Sequence, residues 1–427
     1  MQANIIDYGM NAEGVAKENN FIYFVPYALV GEKVEIQIIR QYKNYADAEL
    51  QSILSPSPKR QSPPCPYFYD CGGCSLQHTS YDEQLRYKAL LVKKTIKKIA
   101  QLDCDVSPTV PSDKIFHYRN KASFNFSIDR AGFYKQKSKE IVDISNCLIL
   151  DENINKVYSL FLQYLKGHQS IHPNIKNLVV RAINNHVLVG VVVKNHIDCA
   201  DFYEILKEHF QYVGLYLVVN TRKDSVVLSG KTSFIAGTNR IEIQNFDIKY
   251  AIDLLSFHQT NISVQNKIYT TVLDYIKRDE IVINAFSGAG LLSAICAKRA
   301  KFVYGVEIEK NSHNEAEKLI KNNKIKNVKN ILGDFNVEYK KINKIADALI
   351  LDPPKKGCGK DILRQIIGIK SIIYISCNPI ALSKDLQFLK NDYIIEKVIP
   401  YDMFPNTNQV ETLIKLKLKE NNNDYKH

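Results

Sequence analysis

From about residue 263 to the C-terminus, short apolar runs at 280–285, 302–307, 328–332, 347–351 and 371–375 recur between stretches of helical periodicity. Regular alternation of this kind restricts that half of the chain to a doubly wound, largely parallel sheet with helices on both faces, here ending in a hairpin at 392–400 and 411–418. Ligands in such sheets bind beyond the carboxyl ends of the strands. The residues at those ends are therefore where chemistry is expected.

The first strand runs into Asn284-Ala285-Phe286-Ser287-Gly288-Ala289-Gly290 and then a helical run from Leu291. Small residues at such a turn let a ligand approach backbone at a helix N-terminus. The second strand ends in Gly305-Val306-Glu307, where an acid can accept hydrogen bonds from ribose hydroxyls. The third glycine of a dinucleotide fingerprint is replaced by Ser293, which favours an adenosyl cofactor such as S-adenosylmethionine over NAD. Asp334, in the sequence LGDF after the third strand, is placed to bond an adenine amino group.

Two more strand ends face the same crevice. Asp352-Pro353-Pro354 stiffens a loop around a carboxylate, and Ser376-Cys377-Asn378-Pro379 puts a thiol at a strand tip. Taken alone, Cys377 reads first as a packed core thiol, and Glu411, at the start of the last strand, as a solvated surface acid. A thiol and two acids around an adenosyl cofactor point instead to group transfer.

Upstream, Val34, Ile36 and Ile38 alternate with Glu35 and Gln37, and 20–26 and 45–54 are further extended candidates, which together read as a small β-barrel. The stretch SPSPKRQSPP at 55–64 reads as a linker. Ser80-Tyr81-Asp82-Glu83 has the form of a capping box, leading a helix whose polar side carries Arg86, Lys93, Lys94, Lys97 and Lys98. Strand candidates at 122–128, 177–182, 186–193 and 212–220, with helices near 151–166 and 200–210, give an α+β pattern through 115–250.

The 427 residues suffice for two to four domains, and a net charge of +12 attracts polyanions, with nucleic acid as the leading partner class. No window is apolar enough for a membrane span, and the N-terminus lacks a signal-peptide pattern, so a cytoplasmic protein is expected. There, Cys65, Cys71 and Cys74, spaced C-x5-C-x2-C, are candidate metal or cluster ligands rather than disulfide partners.

The motifs together resemble the RNA uracil-5-methyltransferases, most closely the bacterial 23S rRNA branch with a TRAM barrel and an iron-sulfur cluster. The resemblance is carried by the cysteine run, Tyr118-Arg119-Asn120-Lys121, Gly132-Phe133, Ile141-Val142-Asp143, Phe257-His258-Gln259-Thr260-Asn261, the Gly288 turn, Gly305-Val306-Glu307, Asp352-Pro353-Pro354, Ser376-Cys377-Asn378-Pro379 and Val410-Glu411-Thr412. It implies an α/β chain of three parts: a TRAM-like (OB-like) RNA-binding barrel at 1–58, an α+β middle domain with the cluster and RNA-binding elements at 65–255, and a Rossmann-like class I methyltransferase domain at 256–427.

It further implies Cys377 as nucleophile and Glu411 as general base. Gln259, Phe286, Gly288, Leu291, Glu307, Asp334 and Asp352 are the implied S-adenosylmethionine contacts. Cys147 joins Cys65, Cys71 and Cys74 as ligands of a [4Fe-4S] cluster, with zinc as the alternative. The implied partner is 23S rRNA before or during ribosome assembly, bound by a monomer. The alternatives are a tRNA T-loop uracil-5-methyltransferase and a non-catalytic RNA-binding assembly protein, whose signature would be loss of Cys377 or Glu411. The chain departs from the family pattern at three sites: Asn284-Ala285-Phe286-Ser287 stands where Asp-Leu-Tyr/Phe-Cys is usual, Lys355 where Arg is usual, and Gln409 where His is usual.

Overall fold

A computed structural model describes residues 1–222, 224 and 226–420; the last seven residues, within the segment assigned to the methyltransferase domain, lie outside the described residues. The first five strands, Gln2–Tyr8, Gly14–Glu18, Phe21–Val25, Lys33–Gln41 and Tyr45–Ser55, close into a barrel. Alternation points Val34 and Ile36 into its core with Ile5, Val25 and Ala48. Burial does not extend to Ile38, which is 40% exposed although it pairs with the core residue Ala48.

The Pro/Ser-rich segment after the barrel is irregular, as its composition predicts, yet it is tied down. Arg60 pairs with Glu32 at 2.5 Å, and the Glu32 carboxylate also accepts from the backbone of Leu29 (2.8 Å) and Ser57 (3.1 Å). Those bonds to its charged form outweigh burial and hold Glu32 below the usual carboxylate range.

The helix Tyr81–Thr95, extended by a wide turn through Ile96–Ala100, starts where the sequence predicts, but its capping box does not form. Ser80 donates its backbone N–H to Lys59 O (2.9 Å), which removes the donor that Glu83 would have taken. Glu83 instead accepts from Arg86 and from the Tyr8 hydroxyl at 2.9 Å, and the Ser80 hydroxyl is buried without a partner. Lys93, Lys94, Lys97 and Lys98 are exposed, as the periodicity predicts. The opposite face buries Val92, Ile96 and Ala100 against Ile372, Tyr374 and Leu386 of the C-terminal layers, far along the chain.

The middle sheet has seven strands, in the spatial order Lys231–Gly237, Tyr212–Val219, His186–Val193, Ile175–Ile183, Lys121–Phe126, Ala131–Tyr134 and Ile141–Asp143. The four longest central runs match the sequence reading. The strands at 131–134 and 141–143, the edge strand at 231–237, and the separate hairpin Ile241–Asn245/Ile248–Ile252, were not anticipated.

The C-terminal sheet is built from β1 (Ile281–Ala285), β2 (Phe302–Glu307), β3 (Val328–Leu332), β4 (Ala348–Leu351), β5 (Ser371–Ser376), β6 (Tyr393–Tyr401) and β7 (Glu411–Leu418). Their spatial order is β3-β2-β1-β4-β5-β7-β6. The first five are parallel, and β7 inserts antiparallel between β5 and β6. The apolar runs of β1, β4 and β5 are buried on both faces, which is why they read as continuous rather than alternating.

Candidate active site

A cavity of about 650 Å³ opens at the carboxyl ends of β1, β4 and β5. Gln259, Phe286, Gly288, Leu291, Asp352, Cys377 and Glu411 all line it, so seven of the nine residues singled out from sequence for catalysis or cofactor contact converge on one space. The β1 turn is shaped by backbone with positive φ at Phe286 (+58°), Gly288 (+56°) and Gly290 (+79°). At Gly290 a Cβ would stand 2.7 Å from the Ala316 methyl, so glycine is needed for helix packing as well as conformation.

Two expected contacts are not on the cavity wall. Glu307, at the tip of β2, accepts from Gly288 N (2.8 Å) and Glu309 N (2.7 Å) and so braces the turn itself. Asp334 is exposed and caps the helix Phe335–Ile342 by accepting from Asn336 N at 2.8 Å. Two unusual residues explain each other: the buried Asn284 amide donates to Ser293 Oγ at 2.9 Å.

Ser376 of β5 pairs with Thr412 of β7 at the end of their ladder, and Cys377, directly after Ser376, and Glu411, directly before Thr412, both line the cavity there. Burial pushes the Cys377 thiol up to about 11; Glu411 and Asp352 add to the rise, and the Lys355 ammonium opposes it. Burial, reinforced by Asp352, also holds Glu411 well above the carboxylate range, and burial brings Asp352 to about 7. The loops are locked together: Asn378 donates to Lys355 O (2.8 Å), while Asp385 accepts from Cys358 N (2.9 Å) and the Tyr374 hydroxyl (2.6 Å). A thiol, two acids that favour their neutral forms and one lysine thus share a half-enclosed space, able to form a bond to sulfur and to move a proton nearby.

Sequence reasoning missed Gln265 and Tyr269, which are one helical turn apart on Ile262–Tyr275 and both line the cavity. Gln265 Nε2 is buried without a partner, and burial, with Asp352 the largest charged contributor, raises the Tyr269 hydroxyl. Their spacing is that of any amphipathic helix, so nothing in the pattern marks them. Arg119 and His258 also line the cavity and lie inside motifs quoted above, where they had been given no role.

Cys65, Cys71, Cys74 and Cys147 are all partly buried. The first three sit in a tight loop in which Cys71 N bonds Tyr67 O (2.8 Å) and Gly73 N bonds Cys71 Sγ (3.4 Å). Burial raises all four thiols, Cys74 to about 12 and Cys147 to about 11, and proximity to one another raises Cys71, Cys74 and Cys147 further. Four gathered thiols of this kind are a donor set suited to a thiolate-binding metal or cluster. Among the described residues, however, no three His, Cys, Asp or Glu side chains stand at metal-holding geometry. Also among the described residues, no helix is long and apolar enough to cross a membrane.

Comparison with known proteins agrees with this geometry. A sequence model of the tRNA (uracil-5-)-methyltransferase family matches residues 80–419, and a TRAM domain model matches residues 3–51. An uncharacterized RNA methyltransferase of Caldanaerobacter subterraneus subsp. tengcongensis is 36% identical, with 96% of each chain aligned. One of Listeria monocytogenes is 32% identical over 98% of this chain and 97% of that one. The fold is similar to the crystal structure of the Pyrococcus abyssi tRNA (uracil-54, C5)-methyltransferase in complex with S-adenosyl-L-homocysteine, with a TM-score of 0.78 and 24% identity over 97% of this chain and 100% of that chain.

Proposed function

The chain belongs to the tRNA (uracil-5-)-methyltransferase family, and from that premise we propose that it methylates C5 of a uridine in 23S rRNA through a covalent adduct between Cys377 and C6 of the uracil. The observation that carries the proposal is the meeting of Cys377, Glu411 and Asp352 in one cavity.

C5 of uracil is too weak a nucleophile to take a methyl group unaided. Cys377 sulfur adds to C6, the displaced electron pair passes through C5 to O4, and C5 becomes enolate-like. C5 then forms its bond to the methyl carbon as the methyl–sulfur bond breaks. Glu411 takes the C5 proton, the C5–C6 double bond re-forms and the thiolate leaves. Gln259, Phe286, Gly288, Leu291 and Asp352, with Glu307 and Asp334 at the margin, would hold S-adenosylmethionine, which would supply the methyl group and a positive charge that lowers the pKa of the acids around it. That charge would favour the ionised forms of Cys377, Asp352 and Glu411, all of which burial raises above their ordinary values.

The target base leaves its stack to reach the cavity, at a cost of a few kcal/mol. The surplus of positive charge and the TRAM barrel offset that cost by gripping backbone phosphates. The combination of barrel and cysteine set favours 23S rRNA. A tRNA substrate is the second reading, since the similar Pyrococcus abyssi structure, named for tRNA, aligns with 97% of this chain. A non-catalytic role is disfavoured because Cys377 and Glu411 are both retained. Labelled methyl transfer to separated rRNA and tRNA, followed by mapping of the modified uridine, distinguishes the substrates.

Cys65, Cys71, Cys74 and Cys147 are assigned to a [4Fe-4S] cluster, with zinc as the alternative. A bound cluster would supply the positive charge that these buried thiols need in order to ionise. The enzyme is expected to act as a monomer in the cytoplasm.

A further inference from the structure

Glu411 is the first residue of β7, and the turn leading into it, 402–410, also contributes Phe404 and Gln409 to the cavity wall. This turn is held largely by segments outside the C-terminal sheet. At its centre is Asn406, 2% exposed, with a left-handed backbone at φ +67°. All four of its polar groups are engaged. Its carbonyl accepts from Ser75 N (2.9 Å) and Leu76 N (3.0 Å), in the residues directly after Cys74. Its N–H donates to Gln84 Oε1 (2.9 Å), and Gln84 Nε2 returns a bond to Asn406 Oδ1 (3.2 Å). Its Nδ2 donates to Ile115 O at 2.7 Å. Just before it, the Asn261 amide donates to Met403 O (3.2 Å) and the Tyr118 hydroxyl donates to Pro405 O (3.1 Å).

We infer that Asn406 is a positioning residue for Glu411: through it, the cysteine loop and the helix Tyr81–Thr95 set where the proton-accepting carboxylate stands. Cys377 and the β1 turn are carried by other strand ends, so the brace acts on proton removal and not on thiol addition or cofactor binding. A buried residue whose backbone and side-chain polar groups are all satisfied by three separate segments is fixed in one conformation. A misplacement of about 1 Å at a reacting group can cost on the order of a hundredfold in rate.

This inference rests on the catalytic roles proposed above, and the test separates the two. Transcripts of 23S rRNA and tRNA carrying 5-fluorouridine are suitable probes, because fluorine at C5 cannot leave as a cation and the adduct is trapped before any proton is removed. Asn406→Ala and the milder Gln84→Ala are compared with wild type for turnover on ordinary RNA, yield of the fluorouridine adduct, S-adenosylhomocysteine affinity, and hydrogen exchange of amides 403–411. The expected result is a turnover loss of about a hundredfold in Asn406→Ala and about tenfold in Gln84→Ala, with adduct yield and affinity within twofold of wild type and faster exchange at 403–411. Asn406→Asp, which keeps the acceptor for Gln84, should recover part of the turnover. Unchanged turnover in both variants, or adduct yield and affinity falling in proportion to turnover, overturns the inference. If wild type itself forms no fluorouridine adduct, the covalent reading fails separately, and unaltered exchange at 403–411 in Asn406→Ala then overturns the brace.

Discussion

Cys377 and Glu411 stand at the same end of the β5–β7 ladder, Cys377 directly after Ser376 and Glu411 directly before Thr412 of its last pair, and both line the cavity. Topology produces the encounter: β7 is inserted antiparallel beside β5, so the start of one strand meets the end of the other. Burial and the neighbouring acids keep the thiol protonated at rest, which separates the ligand-free enzyme from one carrying a cationic methyl donor.

That separation predicts a pH profile for Cys377 alkylation. With its pKa near 11, only about one part in a thousand is thiolate at pH 8 in the ligand-free protein. Iodoacetamide labelling of Cys377 should therefore climb about tenfold per pH unit from 8 towards 10. Because the Lys355 charge pulls the thiol down, Lys355→Met should slow labelling several-fold at fixed pH, and Lys355→Arg should restore it. Labelling independent of pH across this range contradicts the assignment.

The Lys88 ammonium and Asp402 carboxylate form a fully buried ion pair at the start of the turn that leads to Glu411, supported by the Tyr81 hydroxyl on Asp402 at 2.7 Å. Removing one partner leaves a charge buried alone, at a cost of about 3–5 kcal/mol. Lys88→Met should lower stability by that amount in urea denaturation, and Lys88→Met with Asp402→Leu should regain most of it. Equal losses in the single and double variants would show that the pair is not coupled.

Gly290→Ala tests the β1 turn. The added methyl meets Ala316 at 2.7 Å in a backbone at φ +79°, and overpacking of this kind costs roughly 1–3 kcal/mol. The variant should bind S-adenosylhomocysteine at least tenfold more weakly by calorimetry while the barrel and middle sheet keep their native far-ultraviolet signal. Wild-type affinity would remove the turn from the cofactor site.

Protein purified without oxygen should be brown, with absorbance near ~400 nm from a cysteine-ligated cluster. Cys147→Ser should bleach it. A colourless protein holding one zinc would assign the four thiols to the alternative.

Much of this was legible in the sequence. Strands β1, β4 and β5 stood out because burial on both faces makes them nearly unbroken apolar runs, and β2 and β3 because they recur between helical stretches at the same spacing. Partners in space were not legible: the 81–100 helix showed an apolar face, but nothing local said that its last turn would pack against the helix Pro379–Leu389. The capping box failed because Ser80 N–H was already committed to Lys59 O at 2.9 Å. Glu411 carried no signal of its own and was found through the resemblance, whereas Gln265 and Tyr269 sit on a helix whose periodicity describes packing alone.

The covalent account is tested most directly with Glu411→Gln. Incubated with RNA and methyl-labelled S-adenosylmethionine, this variant should add its thiol and transfer the methyl group but fail to release product. A labelled protein–RNA adduct should then appear on a denaturing gel, and it should be absent when Cys377→Ala is combined with it. Retained turnover by Glu411→Gln with no adduct, or methyl transfer by Cys377→Ala, would contradict the account.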